Sequence, residues 1–366
     1  MGFDCDQNLE LSSDFGQLKR ELGLWAKIRK FPLHATYELT PLCNLRCPMC
    51  YVRLDKNRMA LQGKLHSAKE WLELGRQSAE MGLLFVTLTG GEPFLHPEFW
   101  EIYNGLTEMG ILVSINSNGL LIDEAVVEKL KENPPHNMKL SIYGASNETY
   151  EKMCGVKEGF TRVSHAIDLL NESGLSFFCT TTAVHENLHD LHDLYAFARE
   201  KGIKYLHTTA VALSARDAIS DPLSSRTTVA EEGWTLEALE KEKHPFVAHP
   251  FAHCGGFGAN YFMTWHWHMC FCAFPSTHYA QVKEPIDVPA AWSEMLDKAS
   301  SIKTPEECVT CEYAPFCRRC PGLLASESGD PGKVSETFCA IARDMYRLYV
   351  KLKAQEDGKA AENPEN

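Results

Sequence analysis

Three cysteines fall within eight residues, in the stretch CNLRCPMC at Cys43, Cys47 and Cys50. Thiolates are soft ligands that suit zinc or iron–sulfur clusters. A closed structural zinc site takes four ligands, so a zinc reading needs a distant fourth, with His96 and His136 as the candidates. Spacers of three and then two residues instead set three thiolates around one face of a cubane, leaving one iron open to bind a substrate. Eight more cysteines gather further on, at Cys254, Cys270, Cys272, Cys308, Cys311, Cys317, Cys320 and Cys339. The run Cys308-x2-Cys311-x5-Cys317-x2-Cys320 has the density of a zinc ribbon, and eight thiolates equally suit two four-ligand clusters. Cys5, Cys154 and Cys179 stand apart and are read as small buried hydrophobes.

The bulk numbers narrow the setting. The chain has 366 residues, 44% apolar and 23% charged, an ordinary soluble globular composition. Its formal net charge of −13 argues against non-specific nucleic-acid binding, which relies on Lys and Arg against phosphate. No apolar run is long enough to span a membrane. The opening MGFDCDQNLELSSDFG is acidic and polar where a secretory signal is basic and then apolar, and it lacks the Ser or Thr of a myristoylation site. A cytoplasmic location is expected, and in that reducing compartment 14 cysteines are metal ligands before they are disulfides.

The elements that must position these residues alternate. Strands are predicted over 35–40, 83–89, 111–117, 138–144, 175–183 and 203–211, with amphipathic stretches such as SAKEWLELGRQSAEMG and HPEFWEIYNGLTEMG between them. Strand and helix at this spacing give an α/β fold with a parallel sheet. Six strands are too few for a full eight-stranded barrel, so the expectation is a partial (β/α)6 TIM-like barrel, with an open doubly wound sheet as the alternative. A small cysteine-rich C-terminal iron–sulfur domain follows. The predicted organisation is a helical lead-in (1–33), the barrel (34–213), a connecting segment (214–250), the cysteine-rich domain (251–345), and a helix end with a disordered tail (346–366).

The cysteine triad directly after a first strand resembles the radical S-adenosylmethionine (radical SAM) enzymes. The resemblance covers about residues 35–211 and continues in TGGEP (Thr89–Pro93), NSNG (Asn116–Gly119) and LSIYG (Leu140–Gly144). It implies a [4Fe-4S] cluster on Cys43, Cys47 and Cys50 that passes one electron to bound SAM, releasing methionine and a 5′-deoxyadenosyl radical that takes hydrogen from an unactivated carbon. It also implies that the backbone of Gly90 and Gly91 with Glu92 meets the methionyl amino group. Ser117 and Asn118 would lie near the ribose, and Ser141 would reach the ribose or carboxylate. Asn118-Gly119 fits an ordinary turn equally well. Arg216 either pairs with a carboxylate or is a solvated loop charge. Met49 stands where the family usually has an aromatic residue, with Tyr51 just after.

The C-terminal cysteines resemble the SPASM extension, which implies two auxiliary clusters. By that resemblance Cys254, Cys272 and Cys320 hold the first, with Cys270 as the missing ligand or else an open iron; Cys308, Cys311, Cys317 and Cys339 hold the second. Trp267 replaces a family glycine, and the last spacer of the dense run is two residues where three is common. His266 and His268, in MTWHWHMCFC, are metal ligands or proton carriers, or one packed face of a β-ribbon. The resemblance implies a maturase that installs a thioether or carbon–carbon crosslink, or a related modification, in a ribosomally made peptide. Its partners would be that precursor peptide and an electron donor such as flavodoxin or ferredoxin. Residues 1–33 hold one helix, too short for a peptide-binding domain, so a separate leader-recognition protein, the barrel or residues 214–250 must recognise the leader. Small-molecule alcohol dehydrogenation comes second. Formylglycine formation in sulfatases comes third, because Ala273 stands where those members have an Asp. A non-catalytic electron-transfer or zinc-scaffold protein is the contrasting class, and TGGEP counts against it.

Overall fold

A computed structural model describes residues 14–208, 211–212, 218–233, 235–243, 254, 256–274, 278–317 and 320–362. Cys5, Arg216 and parts of the expected connecting segment (214–217, 234 and 244–250) lie outside these. Six parallel strands pair in chain order: β1 (His34–Glu38), β2 (Phe85–Thr89), β3 (Leu112–Ser117), β4 (Asn137–Ser141), β5 (Phe177–Thr182) and β6 (Tyr205–Thr208). Helices separate them, among them Ala68–Glu80, Phe99–Glu108, Glu124–Glu132, Gly159–Ser173 and Leu191–Glu200. The predicted α/β alternation is therefore present, strand for strand. The helix Ala68–Glu80 starts where Ser67 and Glu70 form a reciprocal capping box, which satisfies two of its free N–H groups.

Strand alternation sorts the side chains. On β4, Met138 and Leu140 are buried in the hydrophobic core, while Lys139 and Ser141 face the interior cavity. On β1, Tyr37 is fully buried against Trp71, ring centroids 5.2 Å apart, and Thr36 and Glu38 turn inward. Most barrels fill this interior with branched apolar residues. Here β1 to β4 turn polar side chains such as Thr36, Glu38, Asn116 and Lys139 into it, and it stays open.

The cysteine-rich region adds to the same sheet. Strand β7 (Asn260–Met263) pairs parallel with the other edge of β1, and β8 (His268–Cys270) and β9 (Ala280–Gln281) continue antiparallel. Its register against β1 is tied by side chains: the Tyr37 and Tyr261 hydroxyls share a hydrogen bond at 2.9 Å, and Tyr261 meets Ser78 at 2.7 Å. Pairing covers an edge that would otherwise present unpaired N–H and C=O groups. The last helix, Glu336–Glu362, reaches into the stretch expected to be a disordered tail.

Between β7 and β8 the chain turns through Trp267, whose φ of 64° lies in the left-handed region that favours glycine. This is the position where the resemblance expects glycine. Trp267 is held there by burial: His66 stacks on it at 3.7 Å and Trp71 meets it edge-on at 6.3 Å. The left-handed backbone costs about 1–2 kcal/mol, whereas removing a buried Trp costs about 3–5 kcal/mol. Burial wins. Replacing Trp267 with Gly should relax the turn yet lower stability by about 2–3 kcal/mol in a denaturant titration; a stabilised variant would show the strain to be the larger effect.

Candidate active site

The cysteine loop follows β1 and is clamped from three sides. Gly91 N–H donates to Thr40 O at 2.7 Å, and Glu92 N–H donates to Leu42 O at 2.9 Å. Arg46 N–H donates to Cys154 O at 2.9 Å, and the Ser220 hydroxyl donates to Cys47 O at 3.3 Å. A Cβ on Gly90 would lie 2.5 Å from Thr40 O, and one on Gly91 would lie 2.4 Å from Leu42 O. The paired glycines are needed because two stretches of backbone touch.

Glu92 locks this arrangement to the next loop. It is fully buried and is not part of the lining of the cavity that holds the three cysteines. Its carboxylate accepts from Ser117 Oγ at 3.0 and 3.1 Å, from Asn118 N–H at 2.8 Å and from Phe94 N–H at 3.3 Å. Burial pushes its pKa up to about 7, against the pull of those donors. Asn118 is equally occupied. Its side-chain amide donates to Asn44 Oδ1 at 2.7 Å and to Cys43 Sγ at 3.7 Å, and its Oδ1 accepts from Leu120 N–H at 3.0 Å.

Cys43, Cys47 and Cys50 line one cavity of about 180 Å³ together with Gly90, Gly91 and Ser141. Among the described residues no three His, Cys, Asp or Glu side chains close around a single ion. Burial pushes Cys43 up to about 12 and Cys50 up to about 11; Cys47 is raised first by its contact with Cys154 and then by burial. Thiols so placed need a strongly electrophilic partner to ionise, which iron in a cluster supplies. Backbone N–H groups already point at them: Leu45 at Cys43 Sγ (3.4 Å), and Val52 and Arg53 at Cys50. Such donors are what tune cluster thiolates. A three-point cluster fits this donor set.

His96 and His136 are elsewhere. His96 is bonded to the His66 carbonyl and the Glu98 N–H, and His136 packs on Phe85 and Phe15 at the opposite end of the strands. Cys154 was read as filler, and it is fully buried. Yet the Cys47 thiol donates to its sulfur at 3.5 Å, so it backs the triad without lining the cavity. Cys179 is a buried strand residue with burial pushing its thiol up to about 12. Lys139, Tyr143, Thr182 and Arg53 also line this cavity; Tyr143 lies in the quoted LSIYG segment without having been given a role, and motif matching missed the other three. Inward alternation on β4 and β5 was the available signal for Lys139 and Thr182.

A second cavity of about 440 Å³ adjoins the first, sharing Tyr51, Val52, Thr89, Gly90, Asn116 and Lys139. Its far wall carries Cys254, Cys272 and Ala273. Burial raises Cys272 well above the ordinary thiol range, with the neighbouring Cys320, Cys270 and Cys254 adding to it. Cys254 bears likewise on Cys320, which burial also raises. Cys270 is buried in β8, its thiol donating to His268 O at 3.8 Å. Cys339, raised by burial, feels Cys311. His266 and His268 meet at 3.1 Å, and His268 stacks on Tyr279 at 3.7 Å, within the ribbon.

Residues 37–198 match the radical SAM superfamily. The chain carries a radical SAM domain. Over 212 residues it is 28% identical to an AdoMet-dependent heme synthase of Methanosarcina barkeri, covering 58% of this chain and 60% of that one. It is 29% identical to a PqqA peptide cyclase of Gluconobacter oxydans, covering 57% and 58%. The matched segment thus spans under two thirds of these relatives. In structure it resembles Streptococcus suis SuiB bound to its precursor peptide SuiA, with a TM-score of 0.65, 18% identity, and coverage of 93% and 84%; that likeness is one of fold. The likeness extends past the radical SAM domain into the cysteine-rich region.

Two outcomes follow for the radical SAM domain. Gly91→Ala should displace the cysteine loop and lower bound iron per chain several-fold after anaerobic reconstitution, because the added methyl has only backbone to push against; full iron loading would contradict the clamp. Glu92 has a folded pKa above its ordinary 4.5, so its stabilising contribution is complete below about pH 4.5 and is lost as pH rises through about 7. The metal-free protein should lose stability over that window, and Glu92→Gln should flatten the loss in a pH series of denaturation midpoints.

Proposed function

We propose that this chain is a radical SAM peptide maturase of the SPASM type, with auxiliary clusters beside its SAM site. The observation that carries the reading is the pair of adjoining cavities, one walled by Cys43, Cys47 and Cys50 and the other by Cys254 and Cys272. When bound, a [4Fe-4S] cluster and SAM supply one-electron cleavage of the sulfonium and hydrogen abstraction from an unactivated carbon. The chain's own residues do the rest. Cys43, Cys47 and Cys50 hold three corners of the cluster. The backbone of Gly90 and Gly91, with Ser141, bounds the SAM side, while Ser117, Asn118 and Glu92 hold that wall in shape. Phe262, Phe271 and Phe274 line the second cavity and give it apolar surface against which a substrate side chain can pack. In this reading Cys254, Cys272 and Cys320 hold one auxiliary cluster, with Cys270 in reserve, and Cys308, Cys311, Cys317 and Cys339 hold another. A reduced flavodoxin or ferredoxin supplies electrons, and a separate protein presents the leader of the precursor peptide.

The similarity to a relative named a heme synthase favours a second reading, a small-molecule substrate in the same cavity. Anaerobic turnover separates the readings. With SAM and dithionite the reconstituted protein should form 5′-deoxyadenosine and methionine, and Cys43→Ala should abolish both; no product from the wild type rejects the radical assignment. Cys272→Ser should lower bound iron by about four per chain and leave the triad loaded, so unchanged iron would reject the first auxiliary cluster. A precursor peptide made lighter by a hydrogen pair, read by mass spectrometry, identifies the maturase.

A further inference from the structure

We propose that Lys139 anchors a carboxylate of the substrate in the space between the cysteine triad and Cys254 and Cys272, an inference that rests on reading the second cavity as the substrate site. Lys139 lies on β4 and lines both cavities. It is the only cation among the described residues lining the larger one. The only carboxylate on that wall is Glu38, and it is turned toward the β7–β8 turn, where the Trp265 N–H donates to it at 3.4 Å. No described residue gives Lys139 a hydrogen bond or an ion pair. A desolvated ammonium without a partner is costly, and it is repaired by an anion. Burial holds Lys139 below the ordinary lysine range, which an arriving carboxylate reverses.

Two features assign the anion to the substrate over SAM. Lys139 precedes Ser141 by two residues, which sets its Cα about 7 Å deeper along the strand than that of Ser141, and from there it lines the larger cavity, which Ser141 does not. Among the described residues the far wall, formed by Cys254, Cys272 and Ala273, carries no carboxylate that would occupy the lysine in the substrate's place. Within a peptide the carboxylate is either an Asp or Glu side chain or the chain's own C-terminus. Lys139 is a positioning residue, holding the substrate by a group other than the reacting carbon.

Binding of small probes to the reconstituted protein tests this, with and without SAM, by calorimetry or saturation-transfer NMR. The probes are N-acetyl-glutamate N-methylamide, its uncharged N-acetyl-glutamine analogue, and N-acetylglycine for a terminal carboxylate. Wild type should prefer a carboxylate probe over the amide by about tenfold. Lys139→Met should erase that preference, Lys139→Arg should keep part of it, and both should retain iron and bind SAM within about twofold of wild type. Whichever carboxylate probe binds tighter identifies its source. No preference in wild type, or a preference that survives in Lys139→Met, overturns the proposal. So does a tenfold loss of SAM affinity in Lys139→Met, which would give the lysine to SAM. Absence of SAM cleavage would sink the maturase reading and leave the probe result as it stands.

Discussion

Backbone touching backbone is the constraint on which the site depends. Gly90 and Gly91 lie so close to Thr40 and Leu42 that no side chain fits between them, and the hydrogen bonds made there fix the path of the cysteine loop. Glu92 then carries the same order sideways, gathering Ser117, Asn118 and Phe94 around one buried carboxylate. Three loops at the C-terminal ends of β1, β2 and β3 become one rigid surface. A rigid surface is what a three-point cluster needs, because its open corner is useful only if the other three do not move.

The second organising feature is the polar interior. A barrel of six strands leaves room inside, and its sequence declines to fill that room: Thr36 and Glu38, Thr89, Asn116 and Lys139 occupy positions that elsewhere carry branched hydrophobes. The apolar residues are sent outward, where Met138, Leu140, Val113 and Ile115 pack with the helices. Charge and space are thereby concentrated where two cavities meet, and the helical layer carries the burden of stability.

Much of this was legible in the sequence, and for a physical reason. Strand candidates were marked by β-branched runs, and all six appear within a few residues of their predicted ends. The triad was legible because thiolates at that spacing have few uses. What was not legible came from contacts distant in sequence. Nothing in HATYE announces that β1 pairs on both edges, so the cysteine-rich region was read as a separate domain when its strands continue the barrel's sheet. Cys154 looked isolated because its neighbour Cys47 is 107 residues away. Glu92, Ser117 and Asn118 were read as facing a ligand from their motif; Ser117 and Asn118 line the triad's cavity, whereas Glu92 lies outside that lining and takes up their hydrogen bonds, which no one-dimensional pattern reveals.

The double pairing of β1 has a bearing on how the chain is made. A ribosome releases β1 to β6 in order, each beside its predecessor, but β7, which closes the other side of β1, begins only at Asn260, after more than half of the polypeptide. Until then the nascent sheet has a bare rim next to the triad, open to solvent and to other strands. The cysteine-rich segment supplies the strand that shuts this rim, so the loop bearing the triad is made long before the sheet beside it is closed.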